Sequence, residues 1–215
     1  MKLSGLDFLD LSEHFNEDEL MVQKTARDFV ENEIMPEIDG YFHRGEFPLK
    51  LVKDIADLGL LGMNLPEKYG CSGMSHIAYG LVCQELERCD SGVRSFVSVQ
   101  GSLVMYPIYA YGSEEQKMKY LPKLASGEWI GCFGLTEPDF GSNPGGMVTR
   151  AKKTKGGYIL NGAKMWITNG TISDIAIVWA KDENDVVLGF IVDSKSEGFS
   201  APEMKDKWSL KASIT

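Results

Sequence analysis

The pattern of apolar positions divides the chain near residue 128, where a helical period gives way to a strand period. Upstream of that point, apolar residues recur every three or four positions, which is typical of amphipathic helices. The capping residues Asn16 and Ser113 are followed three positions later by Glu19 and Gln116, the pattern of a capping box. We therefore predict five helices: one after Asn16, three over 48–59, 75–88 and 92–111, and one from Ser113 to about Gly127.

Downstream of Trp129 the pattern is typical of strands. Residues 157–160 and 163–168 flank Asn161-Gly162, a dipeptide that favours a tight hairpin turn. Further β-branched runs over 175–180 and 186–192 predict two more strands. The chain is thus expected to be an α+β protein, with an N-terminal α-helical domain over 1–127 and an antiparallel β-barrel or sandwich domain over 128–215.

The charge balance excludes several function classes. Charged residues make up 25% of the chain and apolar residues 43%, which is an ordinary globular composition. Lys and Arg total 22 against 31 Asp and Glu, so the net charge of −9 disfavours nucleic acid and anionic membranes as partners. No apolar run reaches the roughly 18–20 residues of a membrane span. The N-terminus lacks a targeting pattern, so we expect a bacterial or archaeal cytoplasm, or alternatively a mitochondrial matrix after processing.

The cysteines and histidines show no metal-binding spacing. Four cysteines lack any CxxC pair, and the three histidines are scattered. We therefore expect no metal site, and thiols that remain reduced.

Two segments carry residues suited to binding a planar or phosphorylated ligand. Along 133–142 a hydroxyl at Thr136 precedes a Pro/Gly loop that ends in Ser142, and such loops can approach phosphates or ring carbonyls closely. The alternative is an ordinary connection after a strand. Trp166 and Thr168 lie two positions apart, so a strand would place both on one face, where they could stack on and hydrogen-bond a heterocycle. The alternative is a core Trp beside a solvated Thr.

A third segment places a cation where a helix normally disfavours one. Asp90 is a good N-cap, so Arg94 and Ser95 should lie in the first turn of the following helix. A positive charge there opposes the helix dipole. It could pair with an anionic ligand, since Arg matches a carboxylate with two parallel hydrogen bonds, or it could form a salt bridge to Asp90 or Glu87.

Taken together, the segments resemble the acyl-CoA dehydrogenase family along nearly the whole chain. The residues 86–95 and 99–113 look most like its glutaryl-CoA dehydrogenase branch. The matching motifs are Tyr69-Gly-Cys-Ser-Gly73, the segments 111–117 and 120–127, Leu135-Thr-Glu-Pro138, Asn161-Gly162 and Trp166-Ile-Thr-Asn169.

The resemblance implies FAD as cofactor and an acyl-CoA thioester as substrate. The positions that would line the flavin are Phe133, Leu135, Thr136, Gly141, Ser142, Trp166, Ile167 and Thr168. By the same resemblance, Ser142 would contact the CoA portion, and Arg94 and Ser95 would hold the distal carboxylate of a dicarboxylyl-CoA. Phe140 and Asn143 depart from the family pattern, which leaves the placement of CoA open.

The resemblance further implies dehydrogenation of glutaryl-CoA with decarboxylation to crotonyl-CoA, electron-transfer flavoprotein as acceptor, and a homotetramer. In the family the general base is a Glu of a C-terminal four-helix domain, expected beyond Thr215, so no catalytic residue is assigned here. The alternatives are a related short-chain acyl-CoA dehydrogenase or oxidase, or a catalytically incomplete chain that acts only as a binding module.

Overall fold

A computed structural model describes residues 11–213 and Thr215. Its α-helices all lie in the first part of the chain and end at Ala125. A π-helical stretch, Val30–Ile34, directly follows the first α-helix, and a second, Val99–Met105, joins the helices that end at Ser98 and begin at Tyr106 without a break. None of the helices in this described part is long and apolar enough to cross a membrane. The α-helices are α1 Glu17–Phe29, α2 Ile38–Arg44, α3 Leu51–Asp57, α4 His76–Cys89, α5 Ser91–Ser98, α6 Tyr106–Tyr111 and α7 Glu114–Ala125.

The helix starts follow the local capping signals. Asn16 and Ser113 each accept a hydrogen bond from the backbone of Glu19 or Gln116, whose side chains return the bond, so both predicted capping boxes form. The helix α2 was not predicted. No side chain caps its start, and it forms because Ile38 is buried in the helical core.

Five strands form one sheet: β1 Gly131–Gly134, β2 Arg150–Thr154, β3 Gly157–Asn161, β4 Ile175–Lys181 and β5 Val187–Asp193. The central strand is β4. All seven residues of β4 pair antiparallel with β5, while β1 runs parallel to the first four residues of β4 and β2 meets its last residue, Lys181. β2 and β3 form an antiparallel hairpin.

The helical domain followed by a β region is confirmed, but two details of strand pairing were predicted wrongly. The sheet is mixed rather than wholly antiparallel, because β1 and β4 are parallel. The hairpin turns at residues 155 and 156, so Asn161 ends β3, and residues 163–168 are not a strand. A Cβ on Gly162 would collide with Thr149, so this glycine serves a close approach of two backbones rather than a tight turn.

A buried amide joins the helical part to the sheet. Gln100, fully buried on the π-helical stretch, donates from Nε2 to the carbonyl oxygens of Leu124 (3.0 Å) and Trp129 (2.8 Å). Its Oε1 accepts from the amide of Gly131 at 2.8 Å. β1 therefore starts at a fixed position against the helices.

Candidate functional site

Arg94 lies in the first turn of α5, as predicted, and is held by neighbours on two helices. Its Nε donates to Glu87 Oε2 at 2.6 Å, and its Nη1 donates to Ser98 Oγ at 3.1 Å. Asp90 instead caps the helix, accepting from the amides of Gly92 (2.7 Å) and Val93 (3.3 Å). Of the two acids considered as ion-pair partners, Glu87 therefore holds the cation.

The pair with Glu87 leaves Arg94 able to meet a further anion. Hydrogen bonds from Ser91 and then from Arg94 lower the pKa of the Glu87 carboxyl, so it stays ionised at neutral pH. A guanidinium has five N–H donors, and the bonds described use two of them. Because a third of the Arg94 side chain is exposed, the remaining donors can face a carboxylate that arrives from outside.

Ser95 connects this helix to the second candidate segment. Its Oγ lies 3.5 Å from Thr168 Oγ1, although the two residues are 73 positions apart in sequence. The side chains of both residues are half-buried. The fold therefore brings one predicted substrate residue, Ser95, next to one predicted flavin residue, Thr168.

The loop that follows β1 lies against the Trp166 segment. The amide of Met165 donates to the carbonyl oxygen of Thr136 at 2.9 Å, which ties the two segments together. The hydroxyl of Thr136 makes no hydrogen bond within the described residues and stays available to a ligand. The ring of Phe133 packs edge-on against Trp179, with 6.1 Å between centroids, so its side chain belongs to the core.

Trp166 adopts a conformation that differs from the strand predicted for it. It has a φ of +63°, and 57% of its surface is exposed. A positive φ is unfavourable for a bulky side chain and persists where surrounding contacts impose it, often at functional sites. The alternation of a strand does not apply here: Trp166 is exposed, whereas Thr168 is half-buried against Ser95. Ile167, between them, is also half-buried.

The loop tip carries the two departures from the family pattern. Gly141, Ser142 and Asn143 are exposed, and a Cβ on Gly141 would meet nothing within 4 Å. The ring of Phe140 packs over Gly146, where a Cβ would collide with it. The bulk of Phe140 is thus accommodated by the glycine six positions downstream, and Gly141 and Ser142 remain accessible.

A buried ion pair within this site was not identified from the sequence. Glu137 Oε1 accepts from Lys164 Nζ at 2.9 Å, and their side chains are 1% and 11% exposed. The carboxylate also accepts from the amides of Val148 (2.6 Å) and Thr149 (3.0 Å) and from the Thr149 hydroxyl. Burial alone would raise the pKa of Glu137, but these bonds lower it to about 2. An acid in a Pro/Gly loop has the sequence signature of a solvent-exposed residue, so only the lysine inside an otherwise apolar segment offered a signal.

The donor set fits a planar heterocycle with polar edges better than a metal. An exposed Trp, two threonine hydroxyls and an open glycine loop lie on the two segments that the Met165–Thr136 bond joins, which suits stacking and hydrogen bonding. The part of the chain that the structure describes contains no group of three or more His, Cys, Asp or Glu placed to hold a metal ion. The four cysteines are free, and burial raises the pKa of Cys71 to about 11, which disfavours thiolate chemistry there.

Comparison with known proteins yields matches along almost the whole chain. Residues 16–128 match the family model of the acyl-CoA dehydrogenase N-terminal domain, and residues 132–215 match that of the middle domain. An acyl-CoA dehydrogenase of Bacillus subtilis (strain 168) is 39% identical over 206 residues, which covers 94% of this chain and 54% of that protein.

Solved structures give the same result. A glutaryl-CoA dehydrogenase from Mycobacterium smegmatis in complex with FADH2 is 52% identical, with a TM-score of 0.92 over 95% of this chain and 53% of that chain. Butyryl-CoA dehydrogenase from Megasphaera elsdenii is 35% identical, with a TM-score of 0.88 over 93% of this chain and 54% of that chain. The chain spans about half the length of the relatives it matches. On these matches, the chain belongs to the acyl-CoA dehydrogenase family.

Proposed function

We propose that this chain supplies the helical domain (1–127) and middle domain (128–215) of an FAD-dependent acyl-CoA dehydrogenase that acts on glutaryl-CoA. The observation that supports this most is the 3.5 Å approach of Ser95 to Thr168. In this proposal, the helix start at Arg94 and Ser95 that would bind a carboxylate lies beside the segment that would bind the flavin. A substrate bound at Arg94 and Ser95 would then reach the same space as the flavin ring.

In this proposal the residues that line the flavin have distinct roles. Thr136 would hydrogen-bond the pyrimidine side of the ring, and Trp166 would stack on it. Thr168 would point toward the reactive edge, where a donor favours the negative charge that accompanies reduction. Leu135, Ile167 and the exposed loop at Gly141 and Ser142 would complete the contact surface. Bound FAD would accept the hydride that leaves the substrate.

The choice of a dicarboxylyl-CoA rests on Arg94. Its free N–H groups, one-third exposed side chain and first-turn placement suit a carboxylate at the far end of the acyl chain. The 52% identity to a glutaryl-CoA dehydrogenase, against 35% to a butyryl-CoA dehydrogenase, supports the same choice. Decarboxylation to crotonyl-CoA, transfer of electrons to an electron-transfer flavoprotein, and a homotetramer complete the proposal.

FAD binding is the first test. We expect the purified chain to quench the fluorescence of added FAD in a saturable titration, and Trp166→Ala to weaken this binding at least tenfold because the stacking surface is lost. Trp208→Ala is the matched control, because Trp208 is 98% exposed and assigned to no site. A wild-type chain that leaves FAD fluorescence unchanged contradicts the proposal.

The second test concerns the substrate. With the FAD-loaded chain, Arg94→Gln should raise the Kd for glutaryl-CoA at least tenfold, equivalent to about 1.4 kcal/mol, and leave the Kd for butyryl-CoA within twofold. Arg150→Gln is the control, because Arg150 pairs with Asp185 on an exposed hairpin. Equal losses for both thioesters would exclude the distal-carboxylate role.

A short-chain acyl-CoA dehydrogenase or oxidase is the second candidate. The observation that favours it is the existing pair of Arg94 with Glu87, since a compensated cation does not require an anionic substrate. Wild-type chain that binds butyryl-CoA as tightly as glutaryl-CoA would support this alternative.

A further inference from the structure

Glu137 and Lys164 form a buried ion pair to which neither the motifs nor the proposed reaction assigns a role. Glu137 lies on the loop after β1, and Lys164 lies just before Trp166. Besides Glu137, the ammonium of Lys164 donates to the carbonyl oxygen of Leu135 at 3.1 Å. The pair thus joins the loop after β1, the Lys164 segment and, through the carboxylate, the residues that enter β2.

The hydrogen bonds of Lys164 hold the residues on both sides of Thr136. The Lys164 ammonium binds the carbonyl oxygen of the residue before Thr136 and the side chain of the residue after it. The backbone oxygen of Thr136 itself accepts from Met165. The backbone of Thr136 is therefore fixed on both sides, while its hydroxyl is left unpaired within the described residues.

We propose that Glu137 and Lys164 are a positioning pair, which holds the Thr136 loop and the Trp166–Thr168 segment in the register needed to receive a flavin ring. The inference rests on the proposed function, because it assumes that these two segments bind the cofactor. Neither segment is a helix or a strand, so no hydrogen-bonded ladder fixes their relative position. A charge-assisted hydrogen bond in a dry site supplies that constraint instead.

The pair also keeps the Glu137 loop from presenting a net negative charge to a flavin ring. A lone carboxylate beside a ring that gains negative charge on reduction would oppose that reduction. Lys164 and three further donors compensate the Glu137 charge, so the loop can carry a rigid acceptor without presenting a net anion.

The test measures how firmly the two segments are held together, through the exchange rate of the Met165 amide that joins them. Glu137→Gln keeps the side-chain shape but removes the charge, and Lys164→Met removes the ammonium. In each variant, amide hydrogen exchange of Met165 followed by NMR should accelerate at least tenfold relative to amides of β4. FAD should bind at least tenfold more weakly, with a shifted absorption spectrum of the bound flavin. Lys164→Arg should restore part of both properties, since it keeps a donor charge.

Glu85→Gln is the matched control. Glu85 is also a buried acid in an ion-paired cluster, but it lies between α1 and α4. It should lower overall stability without changing either the relative exchange of Met165 or the flavin spectrum. Unchanged Met165 exchange in both pair variants, or an equal change in Glu85→Gln, would overturn the inference. Should wild-type chain bind no FAD, the proposed function fails, while Met165 exchange still decides whether the pair sets the register.

Discussion

Two buried glutamates, one in each part of the molecule, have different surroundings. Glu85 lies on α4 and bonds Arg27 of α1, at 2.6 and 3.2 Å, and Arg88 one turn away. Glu137 lies on a loop and bonds Lys164, two backbone amides and a hydroxyl. The first joins two helices that also share a hydrophobic core, whereas the second joins segments without regular structure.

The difference lies in what remains when the acid is lost. The Arg27 side chain is 49% exposed, so water can solvate it without Glu85. Lys164 is largely buried, and the amides of Val148 and Thr149 have no other acceptor among the described contacts. An unpaired buried charge costs far more than a solvated one. Glu137 should therefore contribute more to stability than Glu85, although the helical region contains more regular structure.

Replacing each acid by alanine gives the largest expected effect. Glu137→Ala removes the carboxylate partner of the Lys164 ammonium and leaves two buried amides without an acceptor. It should lower the free energy of unfolding by about 3–5 kcal/mol. Glu85→Ala should cost less, about 2 kcal/mol, because Arg27 reaches solvent and Arg88, at 20% exposure, keeps Glu31 as an ion-pair partner. All four tryptophans lie between residues 129 and 208, so tryptophan fluorescence in urea monitors the β region, and circular dichroism monitors the helices. Equal losses would show that partner exposure does not decide the cost.

The junction between the two regions should give the next largest effect. Gln100→Met fills a similar volume but leaves the carbonyl oxygen of Trp129 and the amide of Gly131 unpaired, at a cost of about 2–4 kcal/mol. We expect the fluorescence and circular dichroism transitions to separate in this variant, because β1 loses its fixed start. Gln84→Met, at an exposed position on α4 with no hydrogen bond described, is the control. Coincident transitions at the wild-type midpoint would refute a coupling role for Gln100.

Features set by contacts between neighbouring residues could be predicted from the sequence, whereas features set by contacts between distant segments could not. Helix starts depend on local signals, and Asn16 and Ser113 reveal them within four residues. The hairpin was misplaced because Asn161-Gly162 satisfies a local turn rule. The observed turn depends instead on the register of β2 against β3 and on the close approach of Gly162 to Thr149. The parallel pair of β1 and β4 likewise depends on residues more than 40 positions apart.

In the candidate site, too, the sequence located individual residues but not the contacts between distant segments. The motifs located Thr136, Trp166, Thr168 and Arg94, and the structure places Thr168 beside Ser95. The roles of these residues stay predictions. The Glu137–Lys164 pair could not be predicted, because it joins two segments that are distant in sequence. The sequence around Trp166 favoured a strand and gave no sign of its positive φ.

The smallest expected effect is the pH dependence of the contribution that Glu137 makes to the free energy of unfolding. This dependence distinguishes the effect of its charge from that of its shape. The pKa of this carboxyl is lowered to about 2, against an ordinary value of 4.5 in the unfolded chain. A lowered pKa stabilises the fold above the unfolded value, and that contribution is lost as pH falls through the folded value. The advantage of wild type over Glu137→Gln should thus be constant above pH 5.5 and shrink by on the order of 1–2 kcal/mol by pH 3. Other acids titrate equally in both proteins and cancel in the difference measured by urea unfolding. A constant difference down to pH 3 would mean that the hydrogen-bonding shape of Glu137, rather than its charge, holds the loop.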